Sequence, residues 1–433
     1  MDILSQIFYF LNAGVSPWHA AAKAAALLDA AGFARLEEAA YWNLEPGKGY
    51  YTTRNGTAVI AWRVPDHAIG GWRITAAHAD SPTWKLKGCH APANGCCRLS
   101  TEGYGGMNMA SWLDRPLSVA GRAIVRRGDE LVSRLVYLDR DLLVIPSLAI
   151  HMDREVNNGH RYNPQIDLQP LYGPEGCRPL DALLAEALGC TPADLVDSDL
   201  ILTTRQQAVR VGPDGEYFLS PRIDDLECAA ATLLGFLQAD NFDGGCAPVW
   251  ALLDNEEVGS GTRQGAMSTL LRDTLDRVYG AVPHSAQGQY RALANSLCLS
   301  ADNAHATHPN FPEKADPTHP VRLNGGVVLK VNASQRYTTD GLSGAMVREL
   351  GRLAGVPIQV FANRADMPGG STLGNLQSHT VPVPMADIGL AQLGMHAAVE
   401  TAGCADAEAM VRLVAQFYRT HLRALGDGAY TLE

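Results

Sequence analysis

Residues 247–261 read APVWALLDNEEVGSG, a short apolar run that ends in a cluster of carboxylates. Residues 249–253 have the pattern of a buried β-strand, and Asp254, Glu256 and Glu257 follow within four positions. A solvated loop after a strand would explain these acidic residues, and so would a binding site at the edge of a sheet. The positions of the other polar residues along the chain have to distinguish the two interpretations.

Apolar, β-prone segments alternate with segments of helical period along much of the chain. The predicted strands lie at 72–80, 248–257, 296–302, 325–332, 357–363 and 381–389. The predicted helices lie at 225–237, 340–355 and 405–426. This alternation predicts an α/β fold with a doubly wound, mixed sheet.

Residues 89–210 interrupt the alternation with glycines, prolines and short β-prone runs. The stretch GRAIVRRGDELVSRLVYL predicts a hairpin around Gly128 and Asp129, and 180–188 is the helical exception. A chain of 433 residues exceeds what one hydrophobic core usually supports. We therefore predict an α/β domain built from residues 1–88 and 211–433, with a β-rich domain inserted at 89–210.

Composition excludes several classes of function. A formal net charge of −11 disfavours a nucleic-acid partner, because phosphate binding needs a concentrated basic surface. The sequence contains no membrane span, and its N-terminus, MDILSQIFYFLNAG, lacks the basic leader of a signal peptide. The nine cysteines have no paired spacing, which argues against a disulfide framework. We expect a cytoplasmic protein that does not bind membranes or nucleic acid.

Side chains of the metal-binding type follow several of the predicted strands. In an open α/β sheet, ligands bind at the carboxyl ends of the strands. The candidates at strand ends are His78, Asp80, Glu256, Glu257 and Asp302, and those elsewhere are Asp224 and His396. A single histidine is more often a surface group, and a single aspartate before a helix serves as its N-cap. The recurrence of the pattern favours a binding site over a solvated loop.

The residue types favour a pair of divalent ions. Zinc accepts imidazole and carboxylate ligands, and the cysteine spacing offers no thiolate site. Two histidines and three carboxylates suffice for two ions that share a carboxylate and activate a water, with Glu256 left over beside Glu257 as the base. Because neighbours on a strand point in opposite directions, both glutamates face the ions only if the backbone turns there. Zn, Mn or Co would fit the same ligands.

Several motifs, taken in order along the chain, carry a family resemblance. They are HADSP (78–82), STEGYGGMNMASWLDRPLSVAGR (100–122), SPRIDDL (220–226), DNEEVGSG (254–261), SADNAHATHPN (300–310), KVNASQRY (330–337) and LAQLGMHAA (390–398). In these motifs the chain resembles the aspartyl aminopeptidase family, which are cytosolic, dinuclear zinc metalloaminopeptidases. The match spans nearly the whole sequence.

The resemblance implies a ligand set. His78 and Asp302 would hold one zinc ion. Glu257 and His396 would hold the other, and Asp224 would bridge the two. The peptide bond between Asp224 and Asp225 is expected to be cis, as in related sites.

Further roles follow from the same resemblance. Glu256 would act as general base and acid, and Asp80 would fix the tautomer of the His78 imidazole. The substrate-binding residues would be His151, His305, Lys330 and Tyr337. The inserted domain would mediate dimerisation and carry His151 to the neighbour's active site, and dimers would assemble into a dodecamer.

The sequence thus predicts an aminopeptidase that removes an N-terminal residue, Asp or Glu, from peptides by means of a water activated by two metal ions. A broad or neutral-residue aminopeptidase on the same scaffold is an alternative. An alternative of another class is a catalytically silent, self-assembling scaffold whose metal site is structural. The pair Glu256 and Glu257 argues against that last interpretation, because a structural site needs the ligand but not the adjacent base.

Overall fold

The computed structural model describes residues 1–239, 245–367 and 369–432. Its helices are α1 (Ile3–Ala13), α2 (Pro17–Ala30), α3 (Leu180–Leu188), α4 (Ile223–Gln238), α5 (Leu270–Gly280), α6 (Gly288–Ala294), α7 (Gly341–Ala354), α8 (Leu373–Gln377) and α9 (Cys404–Arg419). Among the described residues, no helix combines the length and apolar character that crossing a membrane requires.

The strands, in chain order, are β1 (Ala34–Arg35), β2 (Gly49–Arg54), β3 (Ala58–Arg63), β4 (Gly71–His78), β5 (Thr83–Cys89), β6 (Cys96–Tyr104), β7 (Leu117–Arg127), β8 (Glu130–Tyr137), β9 (Leu171–Pro174), β10 (Leu195–Thr204), β11 (Val209–Val211), β12 (Tyr217–Ser220), β13 (Cys246–Leu253), β14 (Leu297–Ala301), β15 (Ala304–His305), β16 (Val327–Val331), β17 (Ile358–Ala362), β18 (Met385–Gly389), β19 (Ala391–Leu393), β20 (Glu400–Gly403), β21 (Leu422–Gly426) and β22 (Ala429–Leu432).

The largest sheet is mixed and has nine strands, in the order β1-β2-β3-β13-β4-β14-β18-β16-β17. The two largest hydrophobic cores include residues of its strands. Its strand β13 is buried on both faces because successive side chains enter different cores. Trp250 and Leu252 pack with residues of α4 and α9, whereas Val249 and Ala251 pack with residues of α5. The predicted α/β fold with helices on both faces of a mixed sheet is confirmed.

The central strands of this sheet end together. Strands β4 and β13 run parallel with His78 opposite Leu253, and β14 runs parallel to β4 on its other side. The residues that follow these strands therefore meet at one edge of the sheet. This edge receives Asp80, Glu256 and Asp302, as expected for carboxyl ends of neighbouring parallel strands.

A six-stranded antiparallel sheet, in the order β8-β7-β10-β5-β6-β9, takes its strands from residues 83–204. The predicted hairpin is present: Arg127 pairs with Glu130 across a two-residue turn, and Gly128 has the positive φ of 59° that such a turn requires. Helix α3, also predicted, packs its leucines into the core of this sheet.

Two predicted elements end earlier than the sequence pattern indicates. The helix predicted at 405–426 stops at Arg419, because Thr420 is extended and Leu422 begins a strand that pairs with β22. The strand predicted at 248–257 stops at Leu253. Asn255 then adopts a left-handed conformation with φ 61°, and Glu256–Val258 form one 3₁₀ turn.

A five-stranded sheet, β11-β12-β20-β19-β15, was not predicted because its strands are only two to four residues long.

Candidate metal centre

The turn after β13 answers the question raised by the adjacent glutamates. Because Asn255 reverses the direction of the chain, Glu256 and Glu257 no longer alternate across a sheet. Each offers a carboxylate oxygen within 4.8 Å of the other and of a ring nitrogen of His78. Both glutamates therefore face the same cluster, as the sequence analysis required of a site with one ligand and one base.

The predicted ligands come from five segments and converge on Asp224. The Nε2 atom of His78 lies 3.3 Å from Asp224 Oδ1, and the Nε2 atom of His396 lies 3.4 Å from Asp224 Oδ2. His396 Nε2 also lies 3.3 Å from an oxygen of Glu257. The peptide bond that joins Asp224 to Asp225 is cis, as predicted.

Two groups of donor atoms, each within 4.8 Å of one another, share Asp224. One contains His78, Asp224, Asp225 and Asp302, and the other contains Asp224, Glu257 and His396. Apart from Asp225, an additional carboxylate in the first group, their members are the residues that the resemblance implies as ligands.

The orientation of the imidazoles fits metal ligation. The Nδ1 atom of His78 faces the backbone oxygen of Asp80 at 3.0 Å, and that of His396 faces the backbone oxygen of Gly106 at 2.6 Å. A carbonyl oxygen only accepts, so each Nδ1 carries a proton, and Nε2 is the nitrogen that each imidazole in its neutral form would present to a cation. The residues therefore fit a divalent cation at each imidazole.

The carboxylates support the same fit. Asp224 Oδ1 and Glu257 Oε1 are buried and have no hydrogen-bond partner among the described residues. Buried carboxylate oxygens are costly unless a donor or a cation satisfies them. Burial and the nearby charges of Asp302 and Asp80 raise the pKa of Glu256 to about 8. A pair of divalent cations would relieve this crowding of negative charge.

Asp224 differs from Glu256 and Glu257 in its ionisation, because their pKa values are raised and its own is lowered. Burial acts to raise the pKa of Asp224, but the contacts with His396 and His78 outweigh it and hold the pKa below its ordinary value. Asp224 is thus an ionised carboxylate between two imidazoles, which is the property that a shared ligand needs.

Two buried carboxylates that the sequence analysis did not single out hold the ligand-bearing backbone. Glu400 accepts the backbone N–H groups of Asp224 at 3.1 Å and His396 at 2.7 Å. Asp225 accepts the backbone N–H of His78 at 3.0 Å. For Asp225 the signal was its place beside Asp224 in SPRIDDL, whereas Glu400 has no signal in the sequence.

Asp80 does more than orient His78. Its carboxylate oxygen Oδ1 is 3.4 Å from His78 Nδ1, farther than its own backbone oxygen. The carboxylate instead accepts the backbone N–H groups of Glu256 and Glu257, each at 3.1 Å. Asp80 is completely buried and fixes the turn that presents both glutamates.

The cluster opens into a cavity of about 290 Å³ whose wall includes three of the predicted substrate-binding residues, His305, Lys330 and Tyr337. The Nζ atom of Lys330 is buried and lies 3.3 Å from Asp302 Oδ1. Phe361, which the sequence analysis missed, packs edge-on against both His305 and Tyr337. An aromatic wall with one buried cation therefore faces the ligands.

His151 lies elsewhere in the described structure. It is exposed, in a long connection between β8 and β9, and the cavity lining of its own chain does not include it. Its exposed neighbours are apolar: Leu148, Ile150 and Met152 expose 59%, 46% and 76% of their surface. Large apolar side chains that are exposed so close together in the sequence are typical of an interaction surface.

Comparison with known proteins identifies the relatives of this chain. The family model described as aminopeptidase I zinc metalloprotease (M18) matches residues 10–418. A probable M18 family aminopeptidase 2 of Clostridium acetobutylicum is 37% identical over 429 residues, covering 96% of this chain and 99% of the relative. A protein of the same description from Streptomyces coelicolor is 39% identical over 417 residues, covering 94% and 95%.

Solved structures agree with this relationship. The cryo-EM structure of the Ape4 and Nbr1 complex contains a chain with a TM-score of 0.93 and 33% identity, covering 96% of this chain and 85% of that one. The mApe1 dodecamer of S. cerevisiae gives a TM-score of 0.85 and 28% identity, covering 96% of both chains. Since the family model and the relatives extend over nearly the whole sequence, the chain belongs to the M18 family of zinc metalloaminopeptidases.

Proposed function

We propose that this aminopeptidase removes N-terminal Asp or Glu from peptides at a site for two divalent ions. The observation that carries the proposal is the buried Lys330, whose ammonium group lies in the cavity wall next to the ligand cluster. The ligands would be His78, Asp224 and Asp302 for one ion and Asp224, Glu257 and His396 for the other. Zinc is the proposed metal, with Mn or Co as alternatives.

The positions of the side chains suggest separate roles for the metal ions and for Glu256 in the reaction. When bound, the ions supply Lewis acidity that activates water and polarises the scissile carbonyl. Glu256 takes the proton of the attacking water and delivers it to the departing amine nitrogen as the C–N bond breaks. Its backbone is held by Asp80, so the carboxylate stays directed at the cluster.

The charge of Lys330 supports the acidic preference. Burial acts to lower the pKa of Lys330, but the neighbouring Asp302 and Tyr337 outweigh it and keep the pKa above its ordinary value. The side chain therefore remains a cation inside a chain of net charge −11, where an acidic substrate needs a local positive charge.

One observation favours the alternative of a broad or neutral-residue aminopeptidase. Lys330 is already paired with Asp302, and the adjoining wall is formed by Tyr337 and Phe361. An aromatic wall would accept an apolar side chain equally well. The preference between acidic and neutral residues is therefore the part of the proposal that most needs a kinetic test.

Lys330→Met should raise KM for an aspartyl chromogenic substrate about tenfold or more, while KM for the leucyl substrate changes less than about threefold. Loss of the cation removes a charge-assisted contact that only the acidic side chain makes. Lys85→Met is the matched control, because it removes a lysine paired with Asp199 at 3.4 Å on the six-stranded sheet.

Metal content has to be measured on the same preparations, since Lys330 also contacts a proposed ligand. An equal rise of KM for both substrates, with metal retained, would remove Lys330 from the specificity pocket. A wild-type rate on leucyl and alanyl substrates above that on aspartyl and glutamyl substrates would establish the broad alternative.

Assembly is the second part of the proposal. We infer a homo-oligomer, built from dimers and reaching a dodecamer, in which residues 89–210 form an inserted dimerisation domain between the peptidase parts 1–88 and 211–433. The exposed apolar side chains around His151 support this, and so does the similarity to mApe1, whose structure is a dodecamer. His151 would then reach the neighbour's active site. We also propose a cytoplasmic location, as in the family that the motifs resemble.

A further inference from the structure

The turn that presents the two glutamates is held from the six-stranded sheet by one tyrosine. Tyr104 is the last residue of β6. Its hydroxyl donates to Asp80 Oδ2 at 2.7 Å and accepts from the side-chain amide of Asn255 at 2.9 Å. Asp80 and Asn255 belong to the nine-stranded sheet's edge, so this hydroxyl bridges two parts of the fold.

Both partners of this hydroxyl fix the glutamate turn. Asp80 Oδ2, which accepts from Tyr104, also accepts the backbone N–H of Glu257, and Asp80 Oδ1 accepts that of Glu256. Asn255 is the left-handed residue that starts the turn. The tyrosine hydroxyl thus makes its hydrogen bonds not to the glutamates but to the two residues that determine where both glutamates lie.

Removal of the hydroxyl would leave these partners incompletely satisfied. Asp80 is fully buried, and a buried carboxylate keeps a fixed geometry only when its donors are present. The oxygen of the Asn255 side chain is already occupied by Thr262 and Gln264, at 2.7 and 2.9 Å. Without the hydroxyl, the side-chain NH2 group of Asn255 would therefore lose its hydrogen-bond acceptor, while the oxygen of the same amide keeps its donors.

The residues after Tyr104 contact two of the proposed ligands, Glu257 and His396. A Cβ atom at Gly105 would lie 3.1 Å from the Cβ of Glu257, so the two backbones are in close contact. Gly106 offers its backbone oxygen to His396 Nδ1, and the backbone N–H of Asn108 donates to the backbone oxygen of His396 at 2.9 Å. Residues 104–108 therefore support two proposed ligands from one short segment.

We propose that Tyr104 is a positioning residue for catalysis, which acts through Asp80 and Asn255 to hold Glu256 and Glu257 in place. The inference rests on the proposed roles of Glu256 as base and Glu257 as ligand. It assigns the six-stranded sheet a direct part in the geometry of the active site, in addition to any part in assembly.

The test compares Tyr104→Phe with wild type at saturating zinc. We expect kcat to fall about 10- to 100-fold, KM to change less than about twofold, and the affinity for zinc, measured by chelator competition, to fall about tenfold. The melting temperature should change by less than about 2 °C, because the ring and its packing remain. Tyr172→Phe is the matched control: its hydroxyl also makes one short hydrogen bond, to the backbone oxygen of Arg178 at 2.6 Å.

A Tyr104→Phe enzyme with wild-type kcat would overturn the proposal, and so would an equal loss in Tyr172→Phe. A fall in melting temperature with unchanged kcat would reduce Tyr104 to a structural role and would equally overturn it. The background Asp80→Asn provides a second measurement. Because Tyr104 acts through Asp80 and Asn255, adding Tyr104→Phe there should cost a clearly smaller fold-loss in kcat than in the wild-type background, since only the contact with Asn255 is left to lose. A full independent loss would contradict the proposal.

These outcomes are separable from a failure of the proposed function. The zinc affinity does not depend on any substrate, and the kcat ratio can be measured on whichever aminoacyl substrate the wild type cleaves fastest. The roles of Glu256 and Glu257 are tested by their own substitutions.

Discussion

Glu256→Gln should retain both metal ions and lose at least about 100-fold in kcat, the usual scale for removal of a general base. The amide has the size of the carboxyl group, and the backbone N–H of residue 256 would still donate to Asp80. The amide has no basic oxygen of comparable strength, so it cannot accept the proton of the attacking water. KM should change little, because Glu256 is not proposed to bind the substrate.

Comparing Glu256→Gln with Glu257→Gln distinguishes the proposed base from the proposed metal ligand. Glu257 lies 3.3 Å from His396 Nε2 and belongs to the second donor group, whereas Glu256 does not. We expect Glu257→Gln to lose metal, as determined by elemental analysis of the dialysed protein. Metal loss in Glu256→Gln with metal retained in Glu257→Gln would show that the two roles are exchanged.

Mixed subunits of Glu256→Gln and His151→Phe should recover activity that neither variant has alone. A histidine that helps to hold substrate or the transition-state oxyanion is worth about 100-fold or more. In a mixed dimer, the subunit that carries His151→Phe keeps its own Glu256 and receives an intact His151 from its partner. One of the two sites is then complete, so the upper limit is about half of the wild-type activity for independent sites.

The complementation requires proof that mixed oligomers form, for example from two affinity tags on the two variants. Mixing each variant with itself through the same unfolding and refolding steps is the control. Mixed oligomers that are no more active than either parent would place His151 in its own subunit's site or away from any site. The neighbour's site is proposed because the family resemblance implies it, and because His151 is exposed and does not line the cavity of its own chain.

Most of the α/β fold could be predicted from local sequence patterns. Apolar runs such as 249–253 predicted central strands, because only a strand covered on both faces is apolar at every position. They also predicted that the polar residues after β4, β13 and β14 share one edge, since parallel neighbours end together. The positions at the ends of these strands gave His78, Glu257 and Asp302 as candidates, and the structure brings a donor atom of each within 4.8 Å of Asp224.

Other features depend on contacts between distant segments and leave no local pattern. Glu400 accepts from Asp224, 176 positions away, and nothing around Glu400 distinguishes it from an ordinary strand residue. Tyr104 reaches Asp80 from a different sheet, and Phe361 packs on His305 from β17. Residues 422–426 continue a helical period and form a strand only because β22 pairs with them.

The most decisive measurement is a zinc titration of the metal-free protein, with aminopeptidase activity and bound metal determined at each point. Two groups of donors share Asp224, so we predict that activity reaches its maximum at two ions per chain and that Asp224→Ala abolishes it. Full activity in the metal-free protein, or a maximum reached at one ion per chain, would contradict the dinuclear site.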